Sequence, residues 1–198
     1  MTQMNYVKRI GLDTYRIQNR GGKGIKGMQT REEDVVTKLF LSSNHSYLLY
    51  FTDMGRVYRT KTYNIPEAGR TAKGTPVVNI IEKSPEEKIS EIIPVKEFSD
   101  NEYLVMVTKN GIIKKTPASE YESIRKSGKI AITLKEGDEL ISIFKTTGND
   151  NIFLATRNGM AICFNENDAR AVGRTASGVK AIDLADGDYV VGAEPVRE

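Results

Sequence analysis

The chain is poor in the residues that most often carry chemistry. Its 198 residues include one cysteine, Cys163, and one histidine, His45. A single cysteine excludes an internal disulfide and fits a reducing compartment. A Ser-His-Asp system would have to use His45, which sits in the turn-like Ser43-Asn44-His45-Ser46 with no activating pattern around it. Zinc is equally unsupported, because Cys163 and His45 are far apart in sequence. Cys163 lies in the run Ala161-Ile162-Cys163-Phe164 and reads as a small packing residue. No apolar stretch is long enough to span a bilayer, and Met1 to Ile10 lack the apolar run of a signal peptide. A cytoplasmic location with no membrane partner is therefore expected. No long stripe of 3.6-residue period runs along the chain, so little helix is expected.

What the sequence does have is a repeat. A loop closed by glycine returns four times, as Arg20-Gly21-Gly22-Lys23-Gly24, Arg70-Thr71-Ala72-Lys73-Gly74, Arg125-Lys126-Ser127-Gly128 and Arg174-Thr175-Ala176-Ser177-Gly178. The closing glycines are 50, 54 and 50 positions apart. A turn glycine in Met54-Gly55, Asn110-Gly111 and Asn158-Gly159 precedes the last three by 19, 17 and 19 residues. Counting 19 back from Gly24 reaches Asn5, another residue that tolerates positive φ. Asn-Gly is a strong hairpin signal, since both central positions of a type I′ turn need φ > 0.

Apolar, β-branched runs flank these turns at Tyr47–Phe51, Tyr103–Val107 and Ile152–Ala155, and further strands are expected at Val77–Ile81, Ile130–Leu134 and Val179–Leu184. Acidic turns follow, and then another apolar strand. The pattern predicts an all-β, propeller-like fold of about four repeats, each of ~50 residues and about four antiparallel strands. The chain reads as one domain, 1–198, with approximate repeats 1–54, 55–110, 111–158 and 159–198 and incomplete end repeats.

Net charge is only +3, but its distribution follows the repeat. Residues 1–31, 55–74, 103–129 and 157–180 carry +6, +4, +4 and +2, and the intervening windows carry −3, −4, −2 and −4. In a radial array, alternation along the chain becomes segregation in space. The loops then form a basic belt, the electrostatic footprint of a polyanion site. The belt comprises Lys8, Arg9, Lys26, Arg56, Arg59, Arg70, Lys73, Lys114, Lys115, Arg125, Lys126, Lys129 and Arg174. It weakens along the chain, where Ile162-Cys163 replace the pairs Lys8-Arg9 and Lys114-Lys115. The acidic pairs Glu32-Glu33, Glu86-Glu87 and Asp138-Glu139 read as turns that keep the polyanion off another face. Gly21-Gly22-Lys23-Gly24 is not a P-loop, for it lacks Lys-Ser/Thr at the required spacing and precedes a strand. Its glycines let backbone approach a phosphate closely.

The stretch Gln18-Asn19-Arg20-Gly21-Gly22-Lys23-Gly24, with the flanking Tyr6-Val7-Lys8-Arg9 and Gly55-Arg56-Val57-Tyr58, resembles the C-terminal domain of the DNA gyrase A protein. The seven residues match the heptapeptide of that family, Gln-Arg-Arg-Gly-Gly-Arg/Lys-Gly, except that Asn19 stands where Arg is usual. The resemblance covers the whole chain. It implies a β-pinwheel, a propeller-like array with strands exchanged between neighbours, of which this chain would be a partial array with exposed edges at its ends. It also implies a non-catalytic part of an ATP-dependent type II topoisomerase that wraps duplex DNA without reading its sequence. The wrap presents DNA for strand passage, which yields negative supercoils. The DNA-cleaving tyrosine, ATP and Mg²⁺ would lie elsewhere in the enzyme, so no cofactor is expected in this chain. The partners implied are double-stranded DNA and, in an A2B2 assembly, the gyrase B protein with the rest of the gyrase A protein. Two other readings stay open: a topoisomerase IV-type C-terminal domain, whose loops are degenerate, and a protein-interaction propeller.

Overall fold

A computed structural model describes residues 1–197 of the chain. It contains strands β1 (Tyr6–Val7), β2 (Tyr47–Thr52), β3 (Arg56–Lys61), β4 (Thr75–Pro76), β5 (Ile89–Val95), β6 (Tyr103–Thr108), β7 (Ile112–Pro117), β8 (Lys129–Ile130), β9 (Leu140–Thr146), β10 (Asn151–Thr156), β11 (Ala161–Asn165), β12 (Val179–Lys180) and β13 (Val190–Val196). Helix is confined to 3-10 turns, the longest being Ala118–Tyr121. The fold is all-β, as the hairpin signals and the missing helical stripe predict.

Four antiparallel sheets form, in the orders β1-β4, β5-β2-β3-β8, β12-β7-β6-β9 and β11-β10-β13. Chain order and sheet order disagree in a systematic way. After each central hairpin, the next two-residue strand leaves its own sheet and pairs with the hairpin of the preceding one. Thus β4 pairs β1, β8 pairs β3 and β12 pairs β7. This exchange of strands between neighbours defines a pinwheel. The windows 1–54, 55–110, 111–158 and 159–198 cut between the two strands of each hairpin, so every sheet draws strands from more than one window.

Both faces of the middle sheets are buried, so their central strands are continuous apolar runs rather than alternating ones. Leu48 and Tyr50 pack toward Val7 and Val77, while Leu49 and Phe51 pack against Leu104, Met106 and Tyr121. Val105 and Val107 point the other way, onto Ile152, Leu154 and Val190. The core is thus three layers, each between adjacent sheets.

The runs at Val77–Ile81, Ile130–Leu134 and Val179–Leu184 differ from expectation. Only two residues of each exchange strand pair with the neighbouring hairpin. The chain then turns into the inter-sheet layer, where Val77, Ile81, Ala131 and Ile132 are buried. Their apolarity records burial between sheets rather than extended strand. Cys163 also departs from expectation. It is exposed, on the open edge strand β11, which has no exchanged strand among the described residues.

One hydrogen bond repeats in all four units. Thr2, Thr52, Thr108 and Thr156 are buried at the hairpin entry. Each hydroxyl oxygen accepts the backbone N–H four residues on, from Tyr6, Arg56, Ile112 and Met160. Asn5 adopts φ +62°, taking the place that Gly55, Gly111 and Gly159 hold in the other turns.

Candidate nucleic-acid interface

Adjacent sheets meet along β5, β9 and β13, tied by the Ser90 hydroxyl donating to the Leu140 carbonyl and by the Ala193 N–H donating to Ser142 Oγ. The opposite edge of the middle sheets is formed by the exchanged strands β8 and β12. Three of the four glycine-closed loops run directly into an exchanged strand, Gly74 into β4, Gly128 into β8 and Gly178 into β12, whereas the strand expected after Gly24 does not form and the next strand is β2. Strand exchange therefore places these loops on one edge of the array, away from where the sheets converge.

The loop of Gln18–Gly24 is the most exposed of the four. Gln18 folds back so that its Oε1 accepts the Gly24 N–H at 3.1 Å, and Gly22 N–H donates to the Asn19 carbonyl at 3.0 Å. Gly21 and Gly24 adopt φ +87° and +72°, which a side chain would strain. A Cβ on Gly22 would lie 2.6 Å from Gln18 Oε1. The motif is thus a turn held by Gln18, with Asn19 contributing its carbonyl. Arg20, Lys23 and Lys26 all stand exposed around it. Arg70, Lys73, Arg125 and Lys126 are likewise exposed on the second and third loops, and Lys129 and Arg174 are half-buried.

The cations on the hairpins behave differently, and here the belt needs correction. Lys114 and Lys115 are buried and do not reach solvent. Lys114 Nζ donates to the carbonyls of Ala131 and Arg174. Burial, aided by the nearby Arg174 guanidinium, pushes its ammonium down to about 7. Lys115 Nζ pairs with the buried Glu166 carboxylate at 2.9 Å. Lys8 is half-buried, and its ammonium donates to the carbonyls of Gly69, Arg70 and Ala72 at 3.0, 2.6 and 3.2 Å. Arg9 bonds the Ile65 carbonyl and pairs with Glu67. Arg56 donates to the Ser127 carbonyl, and Arg59 to the Glu122 carbonyl while stacking over Tyr47. Each of these six side chains reaches into the following unit. Their charge recurs because the junction recurs, which a count of charges along the sequence cannot distinguish from a solvent-facing belt.

The acidic turns also have a structural task. The carboxylates of Asp34, Asp138 and Asp188 accept the backbone N–H of Met4, Asn110 and Asn158 in the hairpin turns. Glu87 holds the corresponding place with one more methylene. It is buried and accepts from Thr52, Tyr58 and the Ser84 N–H. Tyr58 stands where Lys8 and Lys114 stand in their hairpins, and its ring packs on Gly128, whose Cβ would lie 2.6 Å from it. In sequence Tyr58 reads only as part of the flanking stretch Gly55-Arg56-Val57-Tyr58, although its position one residue before Arg59 matches Lys8 before Arg9 and Lys114 before Lys115. Among the described residues, no cluster of three or more His, Cys, Asp or Glu could hold a metal. No helix among them is long and apolar enough to cross a membrane.

Strand exchange, stacked sheets and glycine loops leading into the exchanged strands define a propeller of pinwheel type. The family model described as DNA gyrase C-terminal domain, beta-propeller, matches residues 1–43, 46–96, 102–147 and 150–197, one segment per unit. The chain belongs to this DNA gyrase C-terminal domain family. The DNA gyrase A protein of Clostridium acetobutylicum is 53% identical over 180 residues, covering 91% of this chain and 22% of that protein. The DNA gyrase A protein of Staphylococcus epidermidis is 48% identical over 195 residues, 98% of this chain and again 22% of that protein. The chain thus spans about a fifth of the length of these relatives. Among solved structures, a DNA topoisomerase IV C-terminal domain superposes with TM-score 0.84 at 31% identity, covering all of this chain and 60% of that one. A DNA gyrase A C-terminal domain superposes with TM-score 0.77 at 25% identity, covering all of this chain and 64% of that one.

Proposed function

We propose that this chain binds duplex DNA along its loop-bearing edge without reading sequence, and that it wraps the duplex for a gyrase-type topoisomerase. The observation that carries this reading is the recurrence of exposed Arg and Lys on successive glycine-closed loops, with Arg20, Lys23 and Lys26 around a turn whose Gly21 and Gly24 meet nothing within 4 Å. Bending stiff duplex through a large angle costs on the order of several kcal/mol. Phosphate contacts with release of counterions offset that cost, and the loops repeat at the interval of the blades, so contact can follow a curved path. Backbone contacts suit a domain that acts on most sequences.

In the parent enzyme the wrap would present a neighbouring duplex for strand passage, so that the gyrase A and gyrase B proteins together introduce negative supercoils in the cytoplasm. Cleavage, ATP and Mg²⁺ belong, on this reading, to other parts of that assembly. The likeness to a topoisomerase IV C-terminal domain favours a second reading, DNA binding for decatenation. The intact turn of Gln18–Gly24 and the identity to gyrase A proteins weigh toward the first.

The test is binding to a duplex of ~40 base pairs as a function of salt, for the native chain and for Arg20→Ala/Lys23→Ala/Lys26→Ala, with a loss of about one slope unit per lost phosphate contact expected. Weak binding that ignores salt in both proteins would instead leave a protein-interaction scaffold. Ligation of nicked circles with the protein bound then separates the two topoisomerase readings, a trapped positive writhe marking the gyrase type.

A further inference from the structure

Lys8 has the position of a DNA-contacting residue in sequence but not in space. It lies one residue past the pairing of β1 with β4, and its side chain crosses to the next unit's loop. An ammonium has three donors. All three are used, on the carbonyls of Gly69, Arg70 and Ala72, within the loop that carries the exposed Arg70 and Lys73. These carbonyls converge because the loop turns through Ala72 N–H donating to the Gly69 carbonyl, and because Gly74, at φ +86°, lies against the Val7 carbonyl. A converging set of carbonyls without a cation would repel itself. Lys114 makes the same crossing two junctions later, onto the Arg174 carbonyl of the fourth loop, and Tyr58 holds the place between, against Gly128.

We propose that Lys8 is a positioning residue for the DNA-binding edge. It contacts no phosphate, and it fixes the backbone of loop 69–74 so that Arg70 and Lys73 point outward together. Resting on the DNA-binding reading above, this means that each unit sets the contact loop of its successor. The spacing of contacts along the edge is then a property of the junctions and not of the loops alone.

The experiment uses Lys8→Met, which keeps the aliphatic stem and removes the ammonium, and has two arms. In limited trypsinolysis without DNA, cleavage after Arg70 and Lys73 should speed up by about tenfold, since local opening of the loop becomes easier, while other sites keep their rates. In DNA titrations against salt, the slope should fall by more than one unit, because Arg70 and Lys73 lose their placement together. A fall of about one unit would make Lys8 a direct phosphate contact and overturn the proposal. Unchanged cleavage would overturn it too, as would faster cleavage with an unaltered slope. If the native chain shows no salt-dependent binding at all, the DNA reading fails, and the cleavage arm still decides whether Lys8 holds the loop.

Should Lys8→Met fold poorly, acetylation of the native protein gives the same decision. Without DNA, Lys8 should react more slowly than Lys23 and Lys26, and adding DNA should slow those two while leaving the Lys8 rate unchanged. Protection of Lys8 that appears only with DNA would overturn the positioning role.

Discussion

Lys115 on β7 and Glu166 in the turn after β11 form a buried ion pair across a junction between units, Nζ to Oε2 at 2.9 Å. The carboxylate also accepts from the Thr146 hydroxyl and from the N–H groups of Gly148 and Asp150, at 2.8, 2.8 and 2.7 Å. The ammonium bonds Asn167 Oδ1 and lies over the Tyr103 ring. A buried pair stabilises only when its lone pairs and protons are fully used, and here they are.

Removing one partner should therefore be costly. Lys115→Met is expected to lose about 3–5 kcal/mol in urea unfolding, because Glu166 keeps its burial without its counter-charge. Glu166→Gln should lose less, and the double variant should recover part of the sum, giving a coupling that a mutant cycle measures. Burial works to raise the Glu166 pKa, but the Asp150 N–H, Lys115 and Thr146 outweigh it and hold the carboxyl below its ordinary 4.5. A depressed folded pKa contributes stability that is present above 4.5 and is lost as pH falls through the lower, folded value. The native chain should thus lose more stability on acidification than Lys115→Met/Glu166→Gln does.

At Lys114 folding disfavours the charged form instead. Its ammonium is moved from 10.5 down to about 7 by burial first and by Arg174 second, against a smaller opposing pull from Glu120. Between those values the unfolded chain binds more protons than the folded one, so stability should rise with pH from about 7 toward about 10. Lys114→Met should flatten that rise. A denaturation series across this window checks it, and an equal rise in both proteins would assign the effect to another group.

How much of this was legible in the sequence depends on what each residue type reports. Asn110-Gly111 and Asn158-Gly159 announce hairpins through positive φ, and Asn5 was reachable by counting, because turn chemistry is local. The exposed Arg20, Lys23 and Lys26 were legible because three glycines leave nothing to cover them. The destination of Lys8, Lys114 and Lys115 was not. Apart from Ala131, which lies 17 residues from Lys114, acceptors of these side chains lie 51 to 64 residues away, and two of these lysines choose backbone carbonyls, which every residue has. A cation that bridges units and one that faces solvent repeat with the same period. The strands expected after each loop were overextended for a related reason, since burial between sheets and burial within a sheet draw on the same Val and Ile.

The glycines that close the loops should divide into two kinds. A Cβ on Gly178 would collide with the Ile113 carbonyl, and one on Gly74 would lie 2.6 Å from the Val7 carbonyl. Backbone cannot yield as a flexible side chain can, so Gly178→Ala and Gly74→Ala should each cost more than the φ penalty alone, about 2–4 kcal/mol, and loosen the junction. Gly21 and Gly24 meet nothing within 4 Å. Gly21→Ala should cost only the left-handed backbone penalty of about 1–2 kcal/mol. If it weakens DNA binding by more than its stability loss explains, the backbone of that loop approaches the phosphate. Thermal unfolding paired with DNA titration of these variants separates the two kinds.

The acidic turns give the sharpest contrast between two physical accounts. If Asp138 serves to repel DNA from its face, Asp138→Asn should raise DNA affinity and leave stability alone. The structure gives it a different task. Its Oδ1 accepts the N–H of Asn110 at 2.9 Å, in the turn where Thr108 Oγ1 accepts the N–H of Ile112 at 3.2 Å. The first bond is exposed and the second half-buried, so each should contribute about 0.5–1.5 kcal/mol, the ordinary net worth of a hydrogen bond. Thr108→Val and Asp138→Asn should therefore each destabilise the hairpin, by amounts that do not add, because both secure one turn. Thr52→Val should cost more than Thr108→Val, since Thr52 also donates to the buried Glu87, which receives Tyr58 as well. Asp138 also lines one small cleft with Ser177 of the fourth loop, within screening reach of about 8–10 Å, so DNA titration of Asp138→Asn separates the accounts: affinity within about twofold of native with lowered stability marks the turn-holding role, and a larger rise in affinity with unchanged stability marks repulsion.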